Sequence, residues 1–362
     1  MSSKLFTPVA LGDLSLANRI TMAPMTRLRA DDEGVPTALM AEHYAQRASL
    51  GLLVSEGVYP VQEGKGYAGQ PGIETDAQVE GWRVVTDAVH AAGGLIVLQL
   101  MHAGRVSHTD VTGTPRIVGP SAVAIDAEVR TPEGKKPYPV PHALTADELQ
   151  STKQQLVAGA RNAIRAGFDG VEIHDANGYL LHEFLSPASN VRDDGFGGSP
   201  ANRARFGTEV ATAIAEAIGG GRTGIRISPA HNIQDVWEQD ADDVRATYEA
   251  LVDGLNGLGL AYLSVLHADP RSALVHDLGA RFDGPVIMNT GFGTVTTRSE
   301  AMAIVDEGVA DAVAVGRPVI ANPDLAERWQ QDAAENEPDV STFYAPDARG
   351  YTDYPTLAPV AS

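Results

Sequence analysis

Side chains able to grip a heterocycle and an anion recur where short apolar runs end along this chain. They are Thr26, Glu56, Gln99, His174 with Asn177, Arg226 with Ser228, Asn289, and Gly316 with Arg317. No matched carboxylate pair stands among them, and no His/Asp/Glu set has metal-ligand spacing, so hydrolysis and metal chemistry are poorly served. The set is rich in hydrogen-bond donors, which suits a bound heterocycle and an anionic ligand. Asn289-Thr290-Gly291-Phe292-Gly293 and Gly316-Arg317 close two successive runs near the C-terminus. Backbone N–H groups in glycine turns, a helix N-terminus and one guanidinium make a phosphate site. His174-Asp175-Ala176-Asn177-Gly178-Tyr179 is the second constellation. A His and an Asn three apart on a helical turn would aim two donors at one oxygen. Tyr179 would point elsewhere on a regular helix unless Gly178 loosens the turn.

The elements that must carry these residues follow one rhythm. Ala-rich helical stretches close on glycine and are followed by a short apolar run, as at Ala92-Gly93-Gly94, Ala166-Gly167 and Glu307-Gly308. Helix, glycine cap and buried strand are the signature of βα units and a parallel sheet. Eight runs qualify as strands: residues 20–26, 52–55, 95–100, 169–174, 224–228, 260–266, 285–289 and 311–316. Thr145 with Glu148 forms a capping box for a helix reaching about residue 166, and Ser199-Pro200 opens another over 201–218. Eight strands joined by helices predict an α/β fold, a single (β/α)8 barrel over 1–362, although an open doubly wound sheet accommodates the same count. In a barrel the polar residues at the strand ends would share one face. The absence of a G-x-G-x-x-G after the first strand argues against a Rossmann site. Residues 102–144 hold six prolines and little periodicity, and they leave the C-terminal end of a strand, so a lid is expected there. Phe343, Tyr344, Tyr351 and Tyr354 are expected to pin an irregular tail over 333–362.

Composition narrows the class of function. The formal charge of −20 argues against nucleic acid and anionic membrane surfaces as partners. With no cysteine among 362 residues there is no disulfide, thiolate nucleophile or iron–sulfur cluster. Residues 1–20 carry Lys4, Asp13 and Arg19 and no continuous apolar stretch, so neither a signal peptide nor a membrane anchor is expected and the cytoplasm is the expected location.

Taken together the segments resemble the Old Yellow Enzyme family over essentially the whole chain. The resemblance runs through Leu5-Phe6-Thr7-Pro8, Asn18-Arg19-Ile20, Met22-Ala23-Pro24-Met25-Thr26-Arg27 and Gly66-Tyr67-Ala68-Gly69-Gln70-Pro71-Gly72. It continues in Gln99-Leu100-Met101-His102-Ala103-Gly104-Arg105, Val171-Glu172-Ile173-His174 through His182, and Arg226-Ile227-Ser228-Pro229. Gly316-Arg317, Ala321-Asn322-Pro323-Asp324 and Gly350-Tyr351-Thr352-Asp353-Tyr354-Pro355 complete it. The resemblance implies an ene-reductase holding non-covalent FMN and driven by NADPH or NADH in a ping-pong cycle. Pro24, Met25, Thr26 and Gly57 would meet the flavin edge, Gln99 and Arg226 its pyrimidine end, and Thr290, Gly291, Gly316 and Arg317 its phosphate. His174 and Asn177 would bind the oxygen of an activated alkene, whether unsaturated carbonyl, nitroalkene or maleimide. Hydride would pass from the flavin to the β-carbon and Tyr179 would protonate the α-carbon, with Tyr67, Met101 and Tyr351 lining the pocket. Met101 departs from the family, which often has Trp there, so substrate preference and orientation are open at that position. The rival readings are another FMN barrel oxidoreductase and a non-redox barrel for phosphate-bearing ligands. Monomer and homo-oligomer are both compatible with the sequence.

Overall fold

A computed structural model describes residues 3–357. Eight parallel strands close into a barrel in sequence order. They are β1 (Ile20–Met22), β2 (Leu52–Val58), β3 (Ile96–Leu100), β4 (Gly170–Asp175), β5 (Thr223–Ile227), β6 (Tyr262–Leu266), β7 (Val286–Asn289) and β8 (Ala312–Val315). The open-sheet alternative is thereby set aside: β8 pairs with β1 through Val313–Ile20, Ala314–Thr21 and Val315–Met22. The helices of the outer ring are α1 (Ala38–Ala45), α2 (Asp76–Ala91), α3 (Ala146–Arg165), α4 (Pro200–Ile218), α5 (Ala241–Leu255), α6 (Ala273–Arg281), α7 (Arg298–Asp306) and α8 (Leu325–Gln331). Six of the eight start at side chains that satisfy orphan N–H groups, α1 and α8 being the exceptions. Thr145 and Glu148 form the reciprocal capping box of α3, and Ser199 accepts from Asn202 ahead of Pro200 in α4. At the other end of α3, Gly167 has φ +92°, and a Cβ there would stand 2.7 Å from Thr86 Oγ1.

The strands are buried on both faces, which explains their unbroken apolar runs. Outward residues such as Leu53, Leu98, Val171 and Ile225 pack under the helices. Inward ones, including Leu52, Val54, Val97, Ile287, Ala312 and Ala314, form a second core with Leu11, Leu14 and Leu16. Those leucines belong to a hairpin, Val9–Leu11 with Leu14–Leu16, that plugs the N-terminal mouth. A plugged floor leaves the C-terminal face as the place for a ligand.

Three sequence expectations need correction. The first strand ends at Met22 rather than residue 26, with Ala23 N–H still reaching Val315 O and Pro24 having no N–H to give. The second extends past Ser55 to Val58, because its polar residues are paired: Ser55 Oγ accepts Gln99 N–H, and Glu56 accepts Arg27 and Leu28 N–H at 3.0 Å. The tail is pinned by arginines as well as by its aromatic residues, of which Tyr351 is enclosed and stacked on His43. Arg27 reaches Phe343 O and Gly350 O at 3.1 and 2.8 Å, Arg29 lies 4.4 Å over the Tyr351 ring, and Tyr344 is exposed. Residues 358–362 of the expected irregular tail lie outside the described residues.

The 102–144 segment has order of its own. It contains a short helix, Thr109–Thr112, an antiparallel hairpin, Glu128–Thr131 with Gly134–Pro137, and a parallel pairing of Val118–Gly119 with His142–Ala143. Arg105 anchors it, donating to Val123 O at 3.1 Å and to Gln234 O at 3.0 Å. No helix among the described residues is long and apolar enough to cross a membrane.

Candidate active site

The polar residues singled out at the strand ends converge on the C-terminal mouth. Gln99 on β3 donates to Glu172 Oε1 on β4 at 2.7 Å, and Tyr262 on β6 donates to Glu172 Oε2 at 3.1 Å. Arg226 on β5 donates to Asn289 Oδ1 at 3.2 Å and approaches Ser264 Oγ at 3.5 Å. Glu172 is fully enclosed, which pushes its carboxyl up, while the Arg226 cation opposes that shift. This acid under the site was given no role from sequence; its alternation with Val171 and Ile173 on a strand, and its place in a stretch that carries the resemblance, were the signals for it. Arg226 Nε is buried without a partner. A guanidinium so placed is set to meet an anionic or acceptor atom from a ligand.

A bulge in β2 between Val54 and Gly57 brings Gly57 into register with Gln99. A Cβ on Gly57 would meet Met101 Sδ at 2.6 Å, so a side chain here would push Met101 aside. Gln70 ties the neighbouring loop to this edge: its Nε2 donates to Gly57 O at 2.9 Å, and its Oε1 accepts Gly66 and Tyr67 N–H. Pro24, Met25 and Thr26 are half-buried beside it, and Met25 Sδ lies 3.5 Å from where a Gly316 Cβ would stand. At the far end the two glycine turns meet as expected. Arg317 Nη2 donates to Phe292 O at 2.8 Å, Gly291 has φ +87°, and Thr290 Oγ1 pairs with Thr296 Oγ1 at 2.8 Å. Asn289 joins this end to Arg226, giving its Nδ2–H to Ala314 O at 2.7 Å.

His174 and Asn177 do come together with Tyr179, but not on a helical turn. His174 is on β4, which ends at Asp175, and Asn177 and Gly178 then take φ of +57° and +82°. This left-handed corner swings Tyr179 back until its ring centroid lies 5.2 Å from that of His174. Its hydroxyl meets that of Tyr67 at 2.7 Å. His174 Nδ1 and Asn177 Oδ1 are buried and unpartnered. Burial and the Arg226 cation hold His174 well below the ordinary imidazole range, so it stays neutral. Burial first, then Tyr67, lifts the Tyr179 hydroxyl well above 10, so it keeps its proton. Gln234, from the irregular loop after β5, has its amide within reach of both phenols and of Asn177 O at 3.4 Å. It was missed because that loop carries no periodicity or motif. Met101 packs with Ala103, Val106, Ile125 and Tyr179, and Tyr67 and Tyr138 lie against them. Tyr351 stands behind the wall rather than on it: it is completely enclosed and stacked on His43 at 3.9 Å.

Asp175, next to His174, is fully buried with neither carboxylate oxygen partnered. Burial raises it from the ordinary 3.8 to about 7. The unfolded carboxyl ionises first, so stability present below about pH 4 is lost progressively as pH rises to about 7, by on the order of 4 kcal/mol. Asp175→Asn is therefore expected to raise the melting temperature more at pH 8 than at pH 5. An equal shift at both pH values contradicts the buried neutral acid.

A closed α/β barrel with a donor-rich, anion-accepting mouth defines the class. A family model, NADH:flavin oxidoreductase / NADH oxidase, matches residues 4–336. The chain is 44% identical over 358 residues to a probable flavin mononucleotide-dependent alkene reductase of Leishmania infantum, covering 97% of this chain and 96% of that one. Among solved structures it resembles the Old Yellow Enzyme homologue from Zymomonas mobilis, with 41% identity, a TM-score of 0.91, and 98% and 100% of the two chains covered. It also resembles morphinone reductase in complex with tetrahydroNAD, at 43% identity, a TM-score of 0.92 and 99% coverage of each chain. The chain belongs to the NADH:flavin oxidoreductase family of Old Yellow Enzyme type, and is an FMN-dependent, NAD(P)H-driven oxidoreductase.

Proposed function

We propose that this single barrel domain reduces activated alkenes with the named residues in the following roles, working in the cytoplasm on small molecules, with neither nucleic acid nor membrane as partner. The observation that carries the reading is a pair of buried, unpartnered nitrogens at one mouth, Arg226 Nε and His174 Nδ1, with the Asn177 amide close by in the chain. Each such atom costs about 1–3 kcal/mol unless a ligand satisfies it. The residues fit FMN. Pro24, Met25, Thr26 and Gly57 would hold one edge, Gln99 and Arg226 the pyrimidine end, and Thr290, Gly291, Gly316 and Arg317 the phosphate. FMN, when bound, supplies the hydride-carrying centre that no side chain offers. Arg226 stabilises negative charge at the pyrimidine end through a fixed cation in a dry site.

His174 and Asn177 bind the carbonyl or nitro oxygen of the alkene and polarise it. A neutral imidazole serves here as hydrogen-bond donor without the desolvation cost of a buried charge. Tyr179 holds a proton ready for the α-carbon, and Tyr67 orients its hydroxyl. The 102–144 excursion acts as a lid, since its Ile125 and Tyr138 lie against the Met101, Tyr67 and Tyr179 side of the pocket. The reading is tested by following NAD(P)H consumption with 2-cyclohexenone, a nitroalkene and N-ethylmaleimide, with and without FMN. FMN-dependent formation of the saturated products is expected; turnover that ignores FMN contradicts it.

Two variants probe the ends of the site. Arg317→Ala should lose FMN on dialysis faster than Tyr179→Phe does, and equal retention counts against the phosphate assignment. Met101→Trp should narrow the space over Gly57 and accept substituted cyclohexenones less well. A change of about 1.4 kcal/mol between two alkene poses alters their ratio tenfold, so enantiomer ratios of the products should move. Identical ratios and rates would remove Met101 from the substrate wall.

A further inference from the structure

Behind the corner that carries Asn177 and Tyr179 lies a buried polar cluster that the chemistry above does not use. Its members are His182 on the short helix Leu180–Leu185, Glu238 in the loop after β5, and Tyr248 on α5. His182 and Tyr248 are completely enclosed and Glu238 is 6% exposed. Gly178 N–H donates to His182 Nδ1 at 2.8 Å. A backbone N–H can only donate, and an imidazolium has no lone pair to receive it, so the ring is neutral with its proton on Nε2. That Nε2–H faces Tyr248 Oη at 3.0 Å and Glu238 Oε1 at 3.3 Å. Tyr248 O–H donates to Glu238 Oε1 at 3.1 Å, and Ala230 N–H donates to Oε2 at 2.7 Å. Tyr248 O–H and Ala230 N–H therefore both end on the Glu238 carboxylate, which also lies within reach of the His182 Nε2–H.

The corner that this cluster supports turns on two left-handed residues, Asn177 at φ +57° and Gly178 at +82°. Asn-Gly is the pair that takes such backbone most readily, and two hydrogen bonds fix its orientation here. Asn177 N–H is tied to Ser228 Oγ at 2.8 Å, and Gly178 N–H is tied to His182. A Cβ on Gly178 would also stand 2.9 Å from Gln234 Cβ, so the corner packs directly on the loop that Glu238 closes.

We infer that His182 and Glu238 are a positioning pair for the reaction. Glu238 fixes the proton of His182 on Nε2, and the free Nδ1 then pins Gly178, which sets Asn177 and Tyr179 against the substrate. This rests on the roles proposed above for Asn177 and Tyr179. The reach is one residue on either side of Gly178, so a small displacement is transmitted to both groups. A misplacement of about 1 Å can cost on the order of 10²-fold in rate.

The test uses the FMN-loaded full chain, with melting temperature and FMN content recorded for each variant. In His182→Gln the acceptor moves away from the place of Nδ1, and reoxidation of the reduced enzyme by 2-cyclohexenone should slow by about 10- to 100-fold, with weaker binding of a phenol ligand. His182→Asn sets its Oδ1 where Nδ1 stood and should recover most of the rate. Glu238→Gln replaces an acceptor oxygen with N–H groups facing three donors, and should fall with His182→Gln. Combined with Asn177→Ala, the His182→Gln loss should be less than additive, because one acts through the other. Wild-type rate and phenol affinity in His182→Gln overturn the inference, as does a His182→Asn variant as slow as His182→Gln, or losses that simply add. If His182→Gln does not fold, wild-type kinetics in Glu238→Gln overturn it instead. An Asn177→Ala variant with unchanged kinetics would sink the functional reading itself, a result distinct from any of these.

Discussion

Tyr179→Phe is expected to slow reoxidation of the reduced enzyme by 2-cyclohexenone by about 10²–10⁴-fold, the usual worth of a general acid. Reduction by NADPH should be nearly unchanged. The substitution removes one oxygen and keeps the ring that packs 5.2 Å from His174. It also takes away the partner of the Tyr67 hydroxyl at 2.7 Å. Burial holds the Tyr179 proton in place well beyond pH 10, so the group is protonated whenever substrate arrives. Nitroalkenes should suffer less, since a nitro group can carry the negative charge until solvent protonates the carbon. Stopped-flow traces of the two half-reactions decide it. Wild-type reoxidation by 2-cyclohexenone in Tyr179→Phe would remove the tyrosine from the acid role.

His174→Ala and Asn177→Ala are each expected to cost about 2.7–4 kcal/mol in the transition state, the scale of losing one donor to a developing oxyanion. Both donors also hold the oxygen before reaction, so phenol binding should weaken with the rate. The pair shares a single acceptor atom, and the double variant should lose less than the sum of the singles. The basis is the buried, unpartnered His174 Nδ1 with the Asn177 side-chain amide on the same corner, whose Nδ2–H would be the second donor. Strictly additive losses, or singles that bind a phenol as the wild type does, contradict the pairing.

Much of this architecture is legible in the sequence because its signals are local. Glycine-closed helices followed by apolar runs placed five of the eight strands near their observed positions and apolar runs alone the other three, and Thr145 and Ser199 cap their helices as their neighbours suggest. The turns at Gly291 and Gly316 were readable for the same reason. What the sequence hid depends on backbone choices and distant partners. His174 and Asn177 suggested a helical turn, and only the left-handed φ of Asn177 and Gly178 shows how Tyr179 returns to them. Ser55 and Glu56 disguised the end of β2, because their partners, Gln99, Arg27 and Leu28, lie far along the chain. Tyr351 read as a pocket residue, but stacking on His43 and the approach of Arg27 and Arg29 place it a layer back. Glu172 and His182 stand in stretches that carry the family resemblance, but their pairing, like the places of Gln234 and Glu238, emerges only from packing.

The central claim is that one bound flavin passes reducing equivalents from a nicotinamide to an activated alkene at this mouth. The most direct test mixes the FMN-loaded protein with one equivalent of NADPH, or of NADH, without oxygen, and then with excess 2-cyclohexenone. The account predicts that the flavin absorbance bleaches on the first mix and returns on the second, with one equivalent of cyclohexanone formed. A flavin that reduces but is not reoxidised by 2-cyclohexenone, a nitroalkene or N-ethylmaleimide would contradict it.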